Sequence, residues 1–339
     1  MSNLPLIGLD IGTASIKLVE LIPTGSDKWK LLTAASTATA GQAMSEKANL
    51  ASVAQTIAKI VREAGAKSRR VVASLPDDKV STHLLEIPLL PDSEIGQALQ
   101  WQVEQYLPMP LDQAVWSYQV VKKDQMAGQM EVLLMAATKT LVEAYRQVLE
   151  TAGLEPIAFE TELVATARAT VVASSPLTAI VDIGASTTDV GLVRGGQLLF
   201  SQTLPTAGEA FTRSIETALG LDKTQAESYK NTYGFSTNQL QGKLLAAMRP
   251  VLGVISTEIR KTIDFYTSKH PGETVKTVTL AGGVAALPDV VTALSAGLGM
   301  EVVVGNPLAR ITLDQAQAAA IKGYEPFYAV AMGLAERND

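Results

Sequence analysis

Two stretches of the chain repeat one arrangement of apolar, acidic and glycine residues. In residues 6–17 and again in residues 179–190, an apolar run predicts a buried strand, and an aspartate and a glycine-rich turn with hydroxyl residues follow it. The backbone N–H groups of such a turn can face an anion. The repetition predicts two strand–turn–strand hairpins in two similar lobes that close on one nucleotide, with Asp10 and Asp182 facing each other.

The spacing of apolar residues predicts further elements in the first half. Apolar positions recur at steps of three and four over residues 47–65, which indicates a helix, and residues 70–75 predict a short strand. Residues 79–158 predict a compact α+β insertion, in which Trp101 lies opposite the core face of its helix. Trp101 is a candidate for a partner surface, and the alternative is that it packs against the neighbouring lobe. Its predicted strands cover about 80–87, 114–122 and 130–138, and its helices about 92–107 and 139–152.

The second half predicts a second α/β unit around the repeated hairpin. A helix that begins at Glu160 precedes the hairpin, and helical segments, one of them long, follow it. Short strands then alternate with helices, which is typical of a sheet with parallel strands. The predicted helices cover about 160–172, 208–233, 244–266, a segment after Pro288 and 326–337, and the strands cover 275–280 and 301–304.

Composition and charge narrow the class of protein. The chain has 339 residues, is 47% hydrophobic and carries a net charge of −6 without a long basic run, so we expect folded lobes and no nucleic-acid partner. It has no cysteine and only two histidines, which excludes disulfides, thiolate metal sites and histidine-rich metal clusters. No apolar stretch reaches the roughly 20 residues that span a bilayer. We expect a cytoplasmic protein that reaches a membrane only through a partner.

The two glycine-rich turns are candidate phosphate loops. Their backbone amides and hydroxyls are expected to face the β- and γ-phosphates, with the ammonium of Lys17 as a point charge. An ordinary hairpin turn explains the glycines but not the hydroxyl cluster or its repetition. The predicted loop residues are Gly12 and Thr13 in the first turn and Gly184, Ala185, Ser186, Thr187 and Thr188 in the second.

Asp10 and Asp182 are the candidate ligands of a metal ion. Nucleotide phosphates are bound with Mg²⁺, which prefers one or two carboxylates and several waters to a cage made only of protein groups. The alternative is that each aspartate caps its own turn. Because two aspartates recur at equivalent positions, we favour a Mg²⁺ site.

Two other segments are candidates for the nucleoside. Gly282, Gly283 and Val284 follow a predicted strand, and a glycine pair lets the backbone pass close to a flat base. Glu227 and Lys230 lie one turn apart on a predicted helix and can bind ribose hydroxyls and the base. The alternative for this pair is a helical salt bridge.

Glu162 is the candidate catalytic residue. It stands near the start of the predicted helix that joins the lobes, where a carboxylate can orient an attacking water. The alternative is that Glu160 and Glu162 only stabilise the positive end of the helix dipole.

Taken together, the two hairpins, the Glu-x-x-Lys helix and the Gly-Gly loop resemble those of the actin, Hsp70 and sugar-kinase ATPase superfamily. The position of the insertion is similar to that of the extra subdomain of the division protein FtsA. Within the FtsA-like branch, the chain resembles the PilM family of type IV pilus assembly proteins. The segments that carry this last resemblance are residues 72–76, 87–91, 102–108, 132–139 and 152–154.

The resemblance implies an actin-like ATPase fold, with two RNase H-like lobes around a nucleotide cleft that binds ATP and Mg²⁺. Its inserted α+β subdomain would be of the FtsA type, termed 1C or SHS2. The implied division is residues 1–78 and 159–176 for lobe 1 (1A), 79–158 for 1C, 177–206 and 247–325 for lobe 2 (2A), 207–246 for 2B, and 326–339 for a C-terminal helix that packs on lobe 1.

The resemblance also implies partners. Proteins of this family capture the N-terminal cytoplasmic tail of the inner-membrane protein PilN in a groove beside the insertion. Contact with PilO would be indirect, contacts with the pilus motor ATPases and self-association would be additional, and the protein would lie at the inner membrane through PilN.

Three functions stay open at the level of the sequence. The favoured one is an ATP-dependent adaptor, and the others are an FtsA-like polymerising protein and a small-molecule kinase of the same superfamily. The second loop has Ala185 and Ser186 where superfamily members often have further glycines. This departure predicts a slow ATPase at most.

Overall fold

The computed structural model describes residues 4–39, 44, 49–107 and 109–337. Its first lobe is built on a sheet of six strands in the order β14-β3-β2-β1-β4-β8. Strands β1 to β3 form an antiparallel meander, and β4 and β8 continue the sheet in parallel with β1. The bounds are β1 Leu6–Ile11, β2 Ser15–Gly25, β3 Lys28–Ala38, β4 Arg70–Leu75, β8 Glu155–Thr161 and β14 Ile311–Thr312.

The second lobe repeats this topology. Its sheet has the order β11-β10-β9-β12-β13, again an antiparallel meander followed by two parallel strands. Both predicted hairpins are present, as β1–β2 and β9–β10, at equivalent places in the two sheets. The bounds are β9 Thr178–Ile183, β10 Thr188–Arg194, β11 Gln197–Leu204, β12 Thr277–Ala281 and β13 Glu301–Val304.

Amphipathic helices connect the strands and cover the sheets. The buried face of α1 (Leu50–Glu63) carries Val53, Ile57 and Ile60 at the spacing that predicted it. Side-chain hydrogen bonds cap the first turn of several helices. For example, Asp222 and Gln225 form a reciprocal capping box at the start of α6. The other helices of the lobes are α3 Lys139–Thr151, α5 Gly208–Leu219, α6 Lys223–Tyr233, α7 Lys243–Lys269, α8 Val290–Leu298 and α9 Gln315–Ile321.

The insertion forms a separate three-stranded antiparallel sheet with one helix. Its order is β5-β7-β6, so β5 and β6 are outer strands, and α2 covers one face through Ile95 and Leu99. The bounds are β5 Ser81–Pro88, α2 Asp92–Gln102, β6 Ala114–Asp124 and β7 Gln129–Thr138. The side chain of Trp101 lies outside the described residues.

Two of the predicted segment bounds need correction. The sequence extends the insertion to residue 158, but α3 packs in the core of the first lobe and β8 pairs with β4, so the insertion ends at Thr138. The division implied by the resemblance also assigns residues up to 325 to the second lobe, but β14 pairs with β3 of the first lobe and Ile321 of α9 packs beside it.

Two buried helices cross where the lobes meet. α4 (Glu162–Thr170) and α10 (Ala329–Ala335) approach so closely that a Cβ on Gly333 would overlap the carbonyl of Ala165. α10 packs on the first lobe, whereas Leu163 and Ala167 of α4 also pack against the second. The crossing therefore links the two lobes.

The starts of these two helices differ from the sequence prediction. α4 begins at Glu162 and not at Glu160, because Glu160 continues β8 opposite Ser74 and the hydroxyl of Thr161 caps the helix. At the C-terminus, residues 325–328 form a 3₁₀ turn before α10. In the described part of the chain, every helix is too short or too polar to cross a membrane.

Candidate functional site

The hairpin β1–β2 holds an aspartate and a lysine side by side. Asp10 and Lys17 are partners in the strand register, and the Lys17 ammonium donates to Asp10 Oδ2 over 2.8 Å. Ser74 of β4 donates to Asp10 Oδ1 over 3.2 Å. The turn is closed by a bond of 3.0 Å from the Gly12 amide to the Ser15 carbonyl. Both oxygens of Asp10 therefore have protein donors.

The hairpin β9–β10 has the same turn but a different pair. The Gly184 amide donates to the Thr187 carbonyl over 3.0 Å, as in the first hairpin. The partner of Asp182 in the register is Asp189, in the position that Lys17 has in the first hairpin. Paired residues on neighbouring strands project from the same face of the sheet. Two carboxylates thus lie together where the first hairpin has an ion pair.

The two turns meet across the cleft. The hydroxyls of Thr13 and Ser186 lie 3.1 Å apart, so the tips of the turns are in hydrogen-bond contact. Thr188, in contrast, is buried and donates to the Thr206 carbonyl, so its hydroxyl is turned into the second lobe. The carbonyls of Gly184 and Ala185 accept from the first residues of α5, Gly208 and Glu209.

Acidic side chains crowd the floor of the cleft. Burial, followed by the charge of Asp189, raises the pKa of Asp182 to about 7. Burial also raises the pKa of Asp189 to about 6, although hydrogen bonds from Thr203 and Thr187 oppose the shift. Burial and the charge of Asp10 hold the pKa of Glu162 well above its ordinary value. The cleft therefore favours a cation or bound protons.

Among the described residues, Lys17 supplies a positive charge to this acidic cluster. Burial alone would lower the pKa of its ammonium, but the charges of Asp10, Asp182 and Glu162 outweigh burial and raise it. The ammonium also lies 4.7 Å from the centre of the Phe327 ring. Lys17 is therefore charged and held beside Asp10.

Asp77 is an acidic residue that the sequence analysis missed. It follows β4, is 8% exposed, and accepts from the Leu163 amide at the start of α4 over 2.9 Å. Burial and the charge of Asp189 hold the pKa of its carboxyl well above the ordinary value. The missed signal for Asp189 was its place directly opposite Asp182 in the predicted hairpin. Asp77 had no local signal.

The donor set fits Mg²⁺. Among the described residues, no group of three or more acidic or histidine side chains lies close enough together to form a complete metal cage. Mg²⁺ needs only one or two carboxylates because it keeps most of its waters. Asp182 and Asp189 supply two carboxylates on one face, and their described side-chain donors are neutral threonine hydroxyls, whereas Asp10 is bound to the charged Lys17 ammonium. Of the predicted pair, Asp182 has the better surroundings for a metal ion.

The Gly-Gly loop borders the same cleft. Gly282 has a φ of +81°, and a Cβ there would overlap the Asp182 carboxylate and the Ile183 carbonyl. Gly283 begins a short 3₁₀ turn and faces the Phe327 ring. Val284 is buried and lies near Gly208, so its side chain contributes to the core and its backbone to the loop.

The two residues of the predicted pair on α6 have different surroundings. Glu227 is exposed, whereas Lys230 is buried and donates to Thr212 Oγ1 over 2.8 Å and to the Gly208 carbonyl over 3.3 Å. Burial lowers the pKa of Lys230. Lys230 therefore ties α6 to the start of α5 below the second turn.

A groove of about 640 Å³ lies outside the cleft, between the insertion and the first lobe. The outer strand β6 forms one wall and the outer strand β8 the other. Its floor is an ionic network: Glu160 accepts from Arg168 over 2.7 and 2.9 Å and from Arg337 over 2.6 Å, and Arg310 binds Glu336. The sequence analysis did not identify the residues of this groove.

Comparison with known families identifies the chain. The family model described as "Type IV pilus assembly protein PilM" matches residues 8–339. The chain belongs to the PilM family of type IV pilus assembly proteins. The solved structure "PilM-PilN type IV pilus biogenesis complex" contains a chain 28% identical to it, with a TM-score of 0.83 and 98% of each chain covered.

More distant structures show the same fold. The ethanolamine utilization protein EutJ from Carboxydothermus hydrogenoformans is 17% identical, with a TM-score of 0.61, and the match covers 99% of this chain and 91% of EutJ. MreB5 of Spiroplasma citri, in a structure bound to AMPPNP, is 12% identical, with a TM-score of 0.56 and coverage of 98% and 95%. The predicted actin-like fold with two lobes is confirmed.

Proposed function

We propose that the chain is an ATP-binding adaptor of the type IV pilus machine that holds the N-terminal tail of a PilN protein in the groove between β6 and β8. The observation that carries this proposal is the groove itself, which two outer strands border in a member of the PilM family. The similarity to a chain from a PilM–PilN complex supports the choice of partner.

The shape of the groove favours an extended occupant. An outer strand presents unpaired backbone N–H and C=O groups, to which an extended peptide can add as a further strand. Val115 and Ser117 are exposed on β6, and Phe159 of β8 lines the opposite wall. A tail that is flexible before binding suits a site of this kind because it orders only when it adds to the strand.

The cleft is proposed to bind ATP with Mg²⁺. Backbone amides and hydroxyls of the two turns would hold the phosphates, and insertion of phosphates would replace the contact between Thr13 and Ser186. Asp182 and Asp189 would hold the metal ion, which supplies charge neutralisation at the phosphates. The fold of MreB5, a protein solved with AMPPNP, supports a nucleotide.

Glu162 is proposed to orient the water of a slow hydrolysis. Burial and the charge of Asp10 raise its pKa, which makes the carboxylate a stronger base than an ordinary glutamate and suits a residue that accepts a proton from water. Ala185 and Ser186 reduce the flexibility of the second turn relative to glycines, so we expect turnover to be slow.

Titration calorimetry of the full chain with a synthetic PilN tail tests the proposal. We expect saturable binding, and we expect Ser117→Trp to weaken it at least about tenfold, because the indole fills the groove beside β6. Ser93→Trp, on the exposed start of α2, is the matched control and is expected to bind as the unmodified chain does. Absence of binding by the unmodified chain, with and without Mg-ATP, refutes the adaptor.

Further partners follow from the adaptor role. The protein would lie at the cytoplasmic side of the inner membrane through PilN, reach PilO through PilN, and contact the pilus motor ATPases or further copies of itself. Co-purification from membranes with and without PilN tests the attachment. We expect the protein to be absent from the membrane fraction when PilN is missing.

A further inference from the structure

A second pocket, of about 350 Å³, lies between the insertion and the second lobe. Strand β5 of the insertion and strand β11 of the second lobe border it, and each is the outer strand of its sheet. The groove proposed for the PilN tail lies at the other outer strand of the insertion, β6, and the two sites share no described lining residue. We term this second site the β5–β11 pocket.

One wall of the β5–β11 pocket carries two carboxylates. Glu86 of β5 and Glu131 of β7 lie directly opposite each other in the strand register, so both side chains project from one face of the sheet, where like charges repel. Lys122, opposite Glu131 on β6, forms an ion pair with Asp124, and Lys269 of α7 lies 4.2 Å from the centre of an aromatic ring. Neither glutamate has an ion pair among the described residues, so a bound cation is favoured here.

The opposite wall of the pocket is aromatic. The ring centre of Phe200 on β11 lies 5.5 Å from that of Phe265 and 6.3 Å from that of Tyr266, both on α7, and all three residues line the pocket. Phe265 is 48% exposed and already holds the Lys269 ammonium over its ring. Burial raises the pKa of the Tyr266 hydroxyl, and the charge of Glu131 adds to the shift. The acidic wall therefore faces the aromatic one.

Carboxylates opposite aromatic rings are the surroundings that a guanidinium group prefers. Its plane stacks on the rings and its N–H groups donate to carboxylates, whereas an ammonium is more strongly hydrated and cannot stack. Leu84 and Leu199 also line the pocket and would contact the methylene stem of an arginine. The outer strands offer backbone groups to the segment that carries it. We propose that the β5–β11 pocket binds the side chain of an arginine from a partner protein.

The two histidines of the chain supply the readout for a test. His83 and His270 both line the pocket, so the imidazole C–H signals in an NMR spectrum of the full chain report on this site alone. The probe is Nα-acetyl-arginine amide, titrated at pH 8. We expect saturable shifts of both signals with a Kd of about 1 mM, an affinity suited to one isolated side chain. If neither signal shifts in a saturable way, the proposal is overturned.

Three related probes test the chemistry that the pocket selects. Nα-acetyl-citrulline amide keeps the shape of the arginine probe without its charge, Nα-acetyl-lysine amide carries an ammonium, and guanidinium chloride lacks the stem. We expect each to bind at least about fivefold more weakly than the arginine probe. Equal binding of the citrulline probe refutes the role of charge, equal binding of the lysine probe refutes the choice of a guanidinium, and equal binding of the guanidinium ion refutes a side chain as the occupant.

Glu131→Gln tests the acidic wall in the full chain. The variant keeps the shape of the side chain but removes one carboxylate, so we expect the arginine probe to bind about tenfold more weakly. It should fold, because it removes one of two like charges that face each other. Glu94→Gln, on the exposed start of α2 and outside the pocket, is the matched control. Unchanged affinity of Glu131→Gln overturns the proposal, and the PilN titration tests the groove separately because Glu131 lies outside it.

Discussion

Asp182→Asn is expected to abolish the binding of Mg-nucleotide and, at the same time, to stabilise the protein without nucleotide at alkaline pH. The variant removes one of two carboxylates on the same face of β9 and β10. Loss of a carboxylate of a metal site weakens binding by at least about 100-fold, since even the outer partners of such sites contribute 10–100-fold. Fluorescent nucleotide titration with Mg²⁺ measures this loss.

The gain in stability follows from the raised pKa of Asp182. A carboxyl whose pKa is about 7 in the folded state and about 4 when unfolded binds more protons in the folded state between these values. The free energy of unfolding therefore falls as the pH rises from about 4 to 7, and the full penalty applies above pH 7. We expect Asp182→Asn to raise the stability by roughly 2 kcal/mol, or the Tm by about 4 °C, at pH 8.

Thermal unfolding with a chelator at pH 5 and pH 8 separates this effect from others. At pH 5 the native carboxyl of Asp182 is largely protonated and most of the penalty is not yet present, so the gain in Tm of the variant should be much smaller than at pH 8. Asp264→Asn, on the exposed face of α7, is the control and should change neither Tm nor nucleotide binding. A Tm difference that is equal at both pH values would refute the electrostatic cause.

Local sequence patterns predicted the elements whose formation depends on residues that are adjacent in the chain. The two hairpins follow from apolar runs and glycine turns, and both occur with the same bond between the first and fourth residues of the turn, from Gly12 to Ser15 and from Gly184 to Thr187. Helix α9 was missed although it carries a local signal, the capping box of Asp314 and Gln317.

The sequence could not predict contacts between distant segments. Glu160 looked like the start of a helix because it precedes an apolar periodic run, but pairing of β8 with β4 extends the strand through it. The cluster on the cleft floor joins Asp77 and Glu162 to Asp189 of the other lobe. The groove combines β6, β8 and the chain's C-terminal residues, and each wall separately is an ordinary outer strand.

Among the substitutions discussed here that add a single methyl group, Gly333→Ala is expected to destabilise the protein most. Gly333 lies in α10 at its crossing with α4, and a Cβ would overlap the carbonyl of Ala165 in the buried backbone of α4. Because backbone cannot rotate away as a side chain can, the helices must separate, which costs roughly 3 kcal/mol as in overpacked cores. The Tm should fall by about 6 °C or more.

Gly253→Ala is the matched control for this substitution. Gly253 lies on the exposed face of α7, and a Cβ there has no heavy atom within 4 Å among those of the described residues. Alanine is the better helix former, so this variant should be more stable by about 0.5–1 kcal/mol. The same substitution should thus change the free energy of unfolding in opposite directions at two helical glycines. Denaturant unfolding of both variants measures these changes.

The crossing also connects the two candidate sites, so Gly333→Ala should affect more than stability. Arg168 of α4 donates to the Gly333 carbonyl over 2.6 Å and to Glu160 on the groove floor, while Thr166 of α4 contacts Asp182 over 3.5 Å on the cleft side. Separation of α4 from α10 should therefore weaken the binding of both the PilN tail and the nucleotide, measured at a temperature where the variant is folded. If a folded Gly333→Ala variant binds both with unchanged affinity, α4 does not link the groove to the cleft.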